Sequence, residues 1–178
     1  MILKIKELRA LRMFINPKDT RKFLHGIKID PKGYAVATDG HRMGVLSGLV
    51  KGENFFIPAQ IIDEIKLSCK GKAFYDTSIH FTHDTYEIGT FKTQYLGNKE
   101  DNFPAWRRVI PIPDWYGRVE IAFNMPYLAD IEKAFSLLAD KSPPETHTKL
   151  AFEFEQQAIT ITCKAVPNFT AYVMEKRI

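Results

Sequence analysis

Hydrophobic positions change their period several times along the chain, and each change marks an element. Residues 2–6 alternate as Ile-Leu-Lys-Ile-Lys and read as a short strand. Leu8, Leu11 and Ile15 then recur at helical spacing and predict a helix over 7–14, which Asn16-Pro17 breaks. Residues 23–29 read as a strand, Pro31-Lys32-Gly33 has the composition of a hairpin turn, and 34–38 read as the returning strand. Asp39-Gly40 forces another turn. A second run opens with Asn54-Phe55-Phe56-Ile57 and predicts a helix over 59–67 with Pro58 in its first turn, where its missing N–H is no loss. Strands near 73–75, 78–82 and 86–91 follow, then a linker with Gly97, Asn98 and Lys99. Ile110-Pro111-Ile112-Pro113 cannot continue a hydrogen-bonded ladder and reads as a connector. After it come a strand at 118–123 and a helix over 126–138, with Asn124 as its cap and Leu128, Ile131, Phe135 and Leu138 as its stripe. Pro143-Pro144 keeps that helix from extending. Strands at 149–155, 158–164 and 170–174 alternate as half-buried antiparallel strands do. The pattern predicts an α+β chain of three modules, each a helix on a small antiparallel sheet: 1–50, 51–111 and 112–178.

Composition narrows the classes. At 178 residues, with 45% hydrophobic and 26% charged residues, the chain falls among ordinary globular proteins. Cys69 and Cys163 have no CxxC partner or nearby histidine pair, so they read as buried thiols of a reducing compartment. No run approaches the roughly 20 apolar residues of a membrane span, and Met1 leads straight into a strand rather than a secretion signal; the expected location is cytoplasmic. The net charge of +4 is unevenly spread: Lys4, Lys6, Arg9, Arg12, Lys18, Arg21 and Lys22 crowd the first 22 residues, with only Glu7 and Asp19 among them. A polyanion is one partner for such a field, and a solvated basic face is the plain alternative. Arg9 and Arg12, three apart, share a helix face displaced from the apolar stripe.

Enzymatic readings fail on spacing. His80 and His83 fall on opposite faces of an alternating segment and cannot share a metal without a bulge. Asp39 and His41 flank a glycine turn and offer a remote hydrolase reading, but no serine or cysteine sits in a nucleophile setting. Asp63-Glu64, Asp130 and Glu132 lie on expected helices, where exposed carboxylates are ordinary. Neither a Walker loop nor a GxGxxG fingerprint is present, and no cofactor or metal is expected.

Two segments stand out: Ala37-Thr38-Asp39-Gly40-His41-Arg42-Met43 and Asn102-Phe103-Pro104-Ala105-Trp106-Arg107-Arg108-Val109-Ile110-Pro111. They resemble the ATDGHR turn and the FPDYRRV stretch of the middle domain of the bacterial DNA sliding clamp, the β subunit of DNA polymerase III. Residues 19–27 are similar to the strand after the first helix of that domain. Residues 119–128 resemble a strand and helix start in the second half of the clamp's last domain, and 171–178 its C-terminal tail. The clamp's first domain and the first half of its last one have no counterpart, so the resemblance implies one and a half clamp domains. The strand at Met1 and the tail to Ile178 suggest a self-contained small clamp, of the kind a mobile element would carry.

The resemblance implies binding as the activity: a ring around duplex DNA, with polymerases held by short peptides in a groove. The groove residues it implies are Arg21, Leu24, Thr38, Gly40, His41, Arg42, Met43, Pro104, Arg108, Val109, Val173, Met174 and Arg177. Leu24, Met43, Val109 and Met174 would form an adaptable apolar pocket, with Thr38, His41 and the arginines offering hydrogen bonds at its edge. The bland alternative is that these residues only pack the modules together. Ala105, Trp106 and Glu175-Lys176 depart from the family pattern, which implies a different or weaker peptide preference. Arg9, Arg12, Lys18 and Lys22 match positions that face the duplex, where contacts to phosphate are sequence-independent and salt-sensitive. Asp63, Glu64, Asp130 and Glu132 against Lys66 and Lys133 make the other two helices less basic. The implied partners are double-stranded DNA, a polymerase or another protein with a clamp-binding motif, a clamp loader, and further copies of the chain. A family ring has twelve modules, so four chains of three would close one, each flipped relative to its neighbours. A rival reading is a modulator that keeps the groove and sequesters clamp-binding partners without encircling DNA.

Overall fold

The computed structural model describes residues 1–94, 103–110, 124–139, 148–153 and 158–174. The expected strand at 118–123, the linker at 97–99, the prolines at 111, 113, 143 and 144, and the tail at 175–178 lie outside the described residues. The chain runs β1 (Ile2–Lys4), α1 (Ile5–Arg12), β2 (Gly26–Asp30), β3 (Tyr34–Thr38), β4 (Arg42–Leu46), β5 (Phe55–Pro58), α2 (Ala59–Ser68), β6 (Ser78–Phe81), β7 (Thr85–Ile88), β8 (Phe91–Gln94), α3 (Met125–Leu138), β9 (Thr148–Glu153), β10 (Ala158–Cys163) and β11 (Phe169–Met174).

Strands are traded between modules, so the expectation of one small sheet per module is corrected. Among the described residues there are two antiparallel sheets, ordered β1-β6-β7-β8 and β5-β2-β3-β4-β11-β10-β9. β1 leaves its own module to pair with β6, setting Leu3 opposite Ile79. β5 crosses the other way to β2, setting Ile27 opposite Ile57. β11 pairs with β4 and carries the sheet of the first module into the third. The exchange keeps strands from ending at a module boundary with unpaired backbone groups.

The three helices lie together, α1 packing against both α2 and α3. One core joins them to the sheets: Ile5, Leu8 and Leu11 from α1, Ile62 and Ile65 from α2, and Ile131 and Phe135 from α3 are all buried in it. Phe14, Phe169 and Phe135 form an aromatic chain through its centre, with ring centroids 5.9 and 5.4 Å apart. The second of these contacts is edge-to-face, the arrangement the ring quadrupoles favour. Gly44 makes room for this chain, since a Cβ there would meet Phe14 Cδ2 at 2.7 Å.

Local differences have local causes. α1 begins two residues before its expected start because Glu7 Oε2 accepts the Lys4 N–H at 2.7 Å, satisfying a donor at the helix entry. Residues 73–75 are not a strand: Lys72–Phe74 form a 3-10 turn, and the Tyr75 and Thr77 carbonyls accept the Lys6 and Ile5 N–H groups. The expected strand at 86–91 is a hairpin, turned at Gly89 with φ +59°. The expected strand at 23–29 starts only at Gly26, after a 3-10 turn over Lys22–Leu24.

Candidate functional site

Three segments converge at one end of the seven-stranded sheet, and a fourth covers its outer face from an anchor at the other end. The turn between β3 and β4 is built by its own side chains. Thr38 Oγ1 donates to the Arg42 carbonyl at 2.8 Å and accepts the Gly40 N–H at 3.0 Å. The Asp39 carboxylate accepts the backbone N–H groups of His41 and Arg42, both at 3.0 Å. Gly40 has φ +85°, a conformation side chains resist, and a Cβ there would crowd the Arg21 guanidinium at 2.9 Å. Arg21 donates to the Asp39 carbonyl at 3.0 Å and is forked on Asp19. Its hydrogen bonds hold the Asp19 carboxyl well below the usual carboxylate range.

β11 locks onto this turn. Met43 faces Tyr172 in register, Arg42 faces Val173, and the Met174 N–H donates to the His41 carbonyl at 2.8 Å. Alternation then sends Val173 into the main core, fully buried beneath the helices. Val173, expected in the groove, thus lies in the main core. Tyr172 shares Met174's side of the strand and packs on the outer face of the sheet. It was missed, although period-two spacing from Met174 points to it.

The 103–110 segment closes that outer face. Trp106 is buried against Val36, Met43, Val45 and Tyr172, and Val109 packs at the edge of the same cluster. Phe103 reaches Phe56 of β5, with ring centroids 6.4 Å apart. The anchor is Asp30: Arg107 Nη1 and Nη2 donate to its two oxygens at 2.6 and 2.8 Å, and Trp106 Nε1 donates to Oδ2 at 3.4 Å. Pro104 and Arg108 line a hollow of about 360 Å³ with Lys28, Asp30 and Trp106. Of the expected apolar pocket, Leu24 and Met43 are each 1% exposed, and Met43 lies in the outer cluster with Trp106 and Tyr172. Met174 and Val109 are partly exposed, His41 is exposed, and Arg177 lies outside the described residues.

Arg42 is turned away from this end and toward α3. Its Nη1 donates to Asp130 at 2.6 Å, its Nε to Asp39 at 3.1 Å, and its guanidinium lies 4.8 Å above the Tyr127 ring. Burial works to raise the Asp130 pKa, but the bonds from Arg42 and Lys133 outweigh it and hold the carboxyl below its ordinary value. The His41 ring stacks on Tyr127 at 6.4 Å. Asp39 and His41 thus serve the turn and the α3 contact, and Asp39's carboxylate is engaged by Arg42 and two amides.

The basic residues of the first module are mostly engaged with acids or rings. Arg12 forks onto Asp63 of α2 at 3.0 and 2.9 Å. Lys4 and Lys6 pair with Asp76 at 3.5 and 2.9 Å. Arg9 lies 4.8 Å from the Tyr75 ring centroid. Lys18 and Lys22 are exposed in the loop between α1 and β2. Among the described residues no group of three or more His, Cys, Asp or Glu side chains has the placement of a metal site, and no helix is long and apolar enough to cross a membrane.

No protein-family model matches the chain, and no curated protein matches it. Solved structures do. The chain superposes over its whole length on DNA polymerase III subunit beta from Borrelia burgdorferi, with TM-score 0.71 and 14% identity. A DNA polymerase sliding clamp from Pseudomonas aeruginosa gives TM-score 0.72 and 15%, and the beta sliding clamp of C. crescentus 0.71 and 18%. The chain covers 62% to 66% of the length of these proteins. At such identities the likeness speaks for architecture alone, and the architecture is plain: this chain has the DNA sliding-clamp fold.

Proposed function

We propose that the chain is a sliding clamp-like processivity factor that encircles or associates with duplex DNA and holds polymerases through their clamp-binding peptides. One observation carries this reading: the 38–43 turn, the end of β11 and the Arg21 loop meet at one end of the sheet, and Trp106 of the 103–110 segment covers Met43 and Tyr172 on the adjoining outer face, although all four segments are remote in sequence. The site they make is a shallow one. In this reading Met43 lies beneath it, Tyr172, Met174 and Val109 form its apolar surface, His41 and Arg21 its polar edge, and Leu24 and Thr38 support it from below. A peptide with a glutamine and a hydrophobic end matches those chemistries, the glutamine at the edge and the apolar end over Met174. Pro104, Arg108 and Arg177 extend the site in this reading. A cytoplasmic location, a loader and a ring of four chains, each flipped relative to the next, go with it.

A second reading is favoured by the acids on the helices. Arg12 is held by Asp63, and Lys4 and Lys6 by Asp76, so little of the early basic charge faces outward unpaired. That suits a modulator that sequesters clamp-binding partners without encircling DNA.

Peptide affinity tests what both readings share, and light scattering with and without duplex DNA separates them. Met174→Ala is expected to weaken binding of a polymerase-type peptide by about 2 kcal/mol, the scale of a truncated apolar anchor. Undiminished affinity in that variant refutes the site. A stable tetramer supports the clamp reading, and a monomer that never associates with DNA supports the modulator.

A further inference from the structure

In each module a strand pattern runs straight into a helix. β1 ends at Lys4 and α1 starts at Ile5, and β5 ends at Pro58 and α2 starts at Ala59. In the third module the sequence alternates over 118–123, with Val119, Ile121 and Phe123 in one set and Arg118, Glu120 and Ala122 in the other, and α3 starts at Met125.

The pairings of β1 and β5 show how such an opening strand is used. Neither serves the sheet of its own module. β1 lies on β6, the first strand after α2, and β5 lies on β2, the first strand after α1. Each brings an apolar side chain into the core: Leu3 opposite Ile79 and Ile57 opposite Ile27, all four fully buried. The first two modules thus complete each other by a reciprocal exchange. β9 is the first strand after α3, and it stands at the end of the seven-stranded sheet with no strand on its outer side among the described residues. The backbone N–H and C=O groups along such an edge are a template for another strand.

We propose that the third modules of two copies of this chain complete each other as the first two modules do within one copy. The 118–123 segment of each copy lies antiparallel on β9 of the other. A strand that runs straight into its helix is held at that helix's start, and in both described cases it closes the neighbouring sheet. The segment leading into α3 is under the same constraint, and a second copy supplies the sheet. The exchange is reciprocal, so the contact is isologous, with a twofold axis between the two third modules, and it builds assemblies of even copy number. The apolar set of the donated strand takes the part that Leu3 and Ile57 play in the first two modules. The interface rests on strand order and not on the function proposed above: a chain that bound neither peptide nor duplex would still exchange strands.

Isotope-filtered NOE spectroscopy on an equimolar mixture of differently labelled full-length chains, refolded together, reads the partner of β9 directly. Cross-strand NOEs from the amides of Thr148–Glu153 in one copy to 118–123 of the other are expected. A monomer at the same concentration, NOEs confined to one copy, or a partner strand from elsewhere in the chain overturns the proposal. Proline variants supply a second arm. β1 and β5 are terminal strands of their sheets, so a strand donated in the same way turns one side of its backbone to solvent, and neighbouring N–H groups point to opposite sides. Of Glu120→Pro and Ile121→Pro, one is expected to weaken self-association about tenfold or more in sedimentation equilibrium, the cost of a ladder group left unpaired, and the other to leave it unchanged. Equal loss in both variants, or loss in neither, overturns the exchange.

Discussion

Asp30 ends β2 as a carboxylate only 8% exposed, and it stays charged there because four donors surround it. Hydrogen bonds from Arg107, against the cost of burial and with help from the Lys32 amide, pull its pKa down to about 2. A folded pKa below the unfolded value means stability that is fully present above about 4 and is lost as pH falls toward 2. Because Arg107 is itself more than a third exposed, the contribution is discounted to about 1–2 kcal/mol. Urea unfolding from pH 6 to pH 2 is expected to show that loss in the wild type and to show it blunted in Arg107→Ala. A second residue-scale expectation concerns Arg42, whose removal strands Asp39, nearly buried, and Asp130. Arg42→Ala is expected to cost about 3 kcal/mol in the same assay, since breaking one side of a largely buried ion pair leaves its partners desolvated. Neither contact was legible in the sequence. Asp30 and Arg107 are 77 positions apart, Arg42 and Asp130 are 88 apart, and no local pattern encodes such pairs.

At the scale of elements, period and punctuation carried most of the information. The stripes Leu8-Leu11 and Ile131-Phe135-Leu138 mark α1 and α3, and β3 spans the residues its alternation indicated. Reading failed where a fold-level bond decides the local structure. Lys72–Phe74 turn because the Tyr75 and Thr77 carbonyls are drawn to the start of α1, and the exchange of β1 and β5 leaves no trace in either strand's composition. The resemblance to clamp motifs picked out the segments, but not which way their side chains face: Val173 turns into the core while Tyr172 faces outward, and Arg42 reaches α3. Gly44 tests the packing of α1 on β4 most simply. A Cβ there meets the Phe14 ring at 2.7 Å, so Gly44→Ala must push Phe14 off Phe169. The expected destabilisation is about 1–3 kcal/mol, the range for overpacking a filled core. A neutral result by thermal unfolding would mean that the aromatic chain does not hold the helices to the sheet.

For the whole molecule, the shared sheet makes the proposed peptide site and the helix face parts of one body. β4 carries Met43 to the outer cluster and Arg42 toward α3, while α1 lies between α2 and α3. In the proposed function the outer end takes a peptide and the helices a polyanion, with Asp63 and Asp76 restraining the second. Duplex affinity is expected to be weak, indifferent to sequence and lower at high salt, and lower again in the Arg9→Ala/Arg12→Ala variant. A fluorescence titration across several duplex sequences checks this, and a marked preference for one of them contradicts it. The central claim is that four remote segments form a peptide site, and amide chemical-shift mapping of the full chain with a polymerase-type clamp-binding peptide tests it most directly. The account predicts shifts concentrated at His41 to Met43, Val109 and Tyr172 to Met174, with α1 and α2 silent; shifts centred on the helices, or none at saturating peptide, would contradict it.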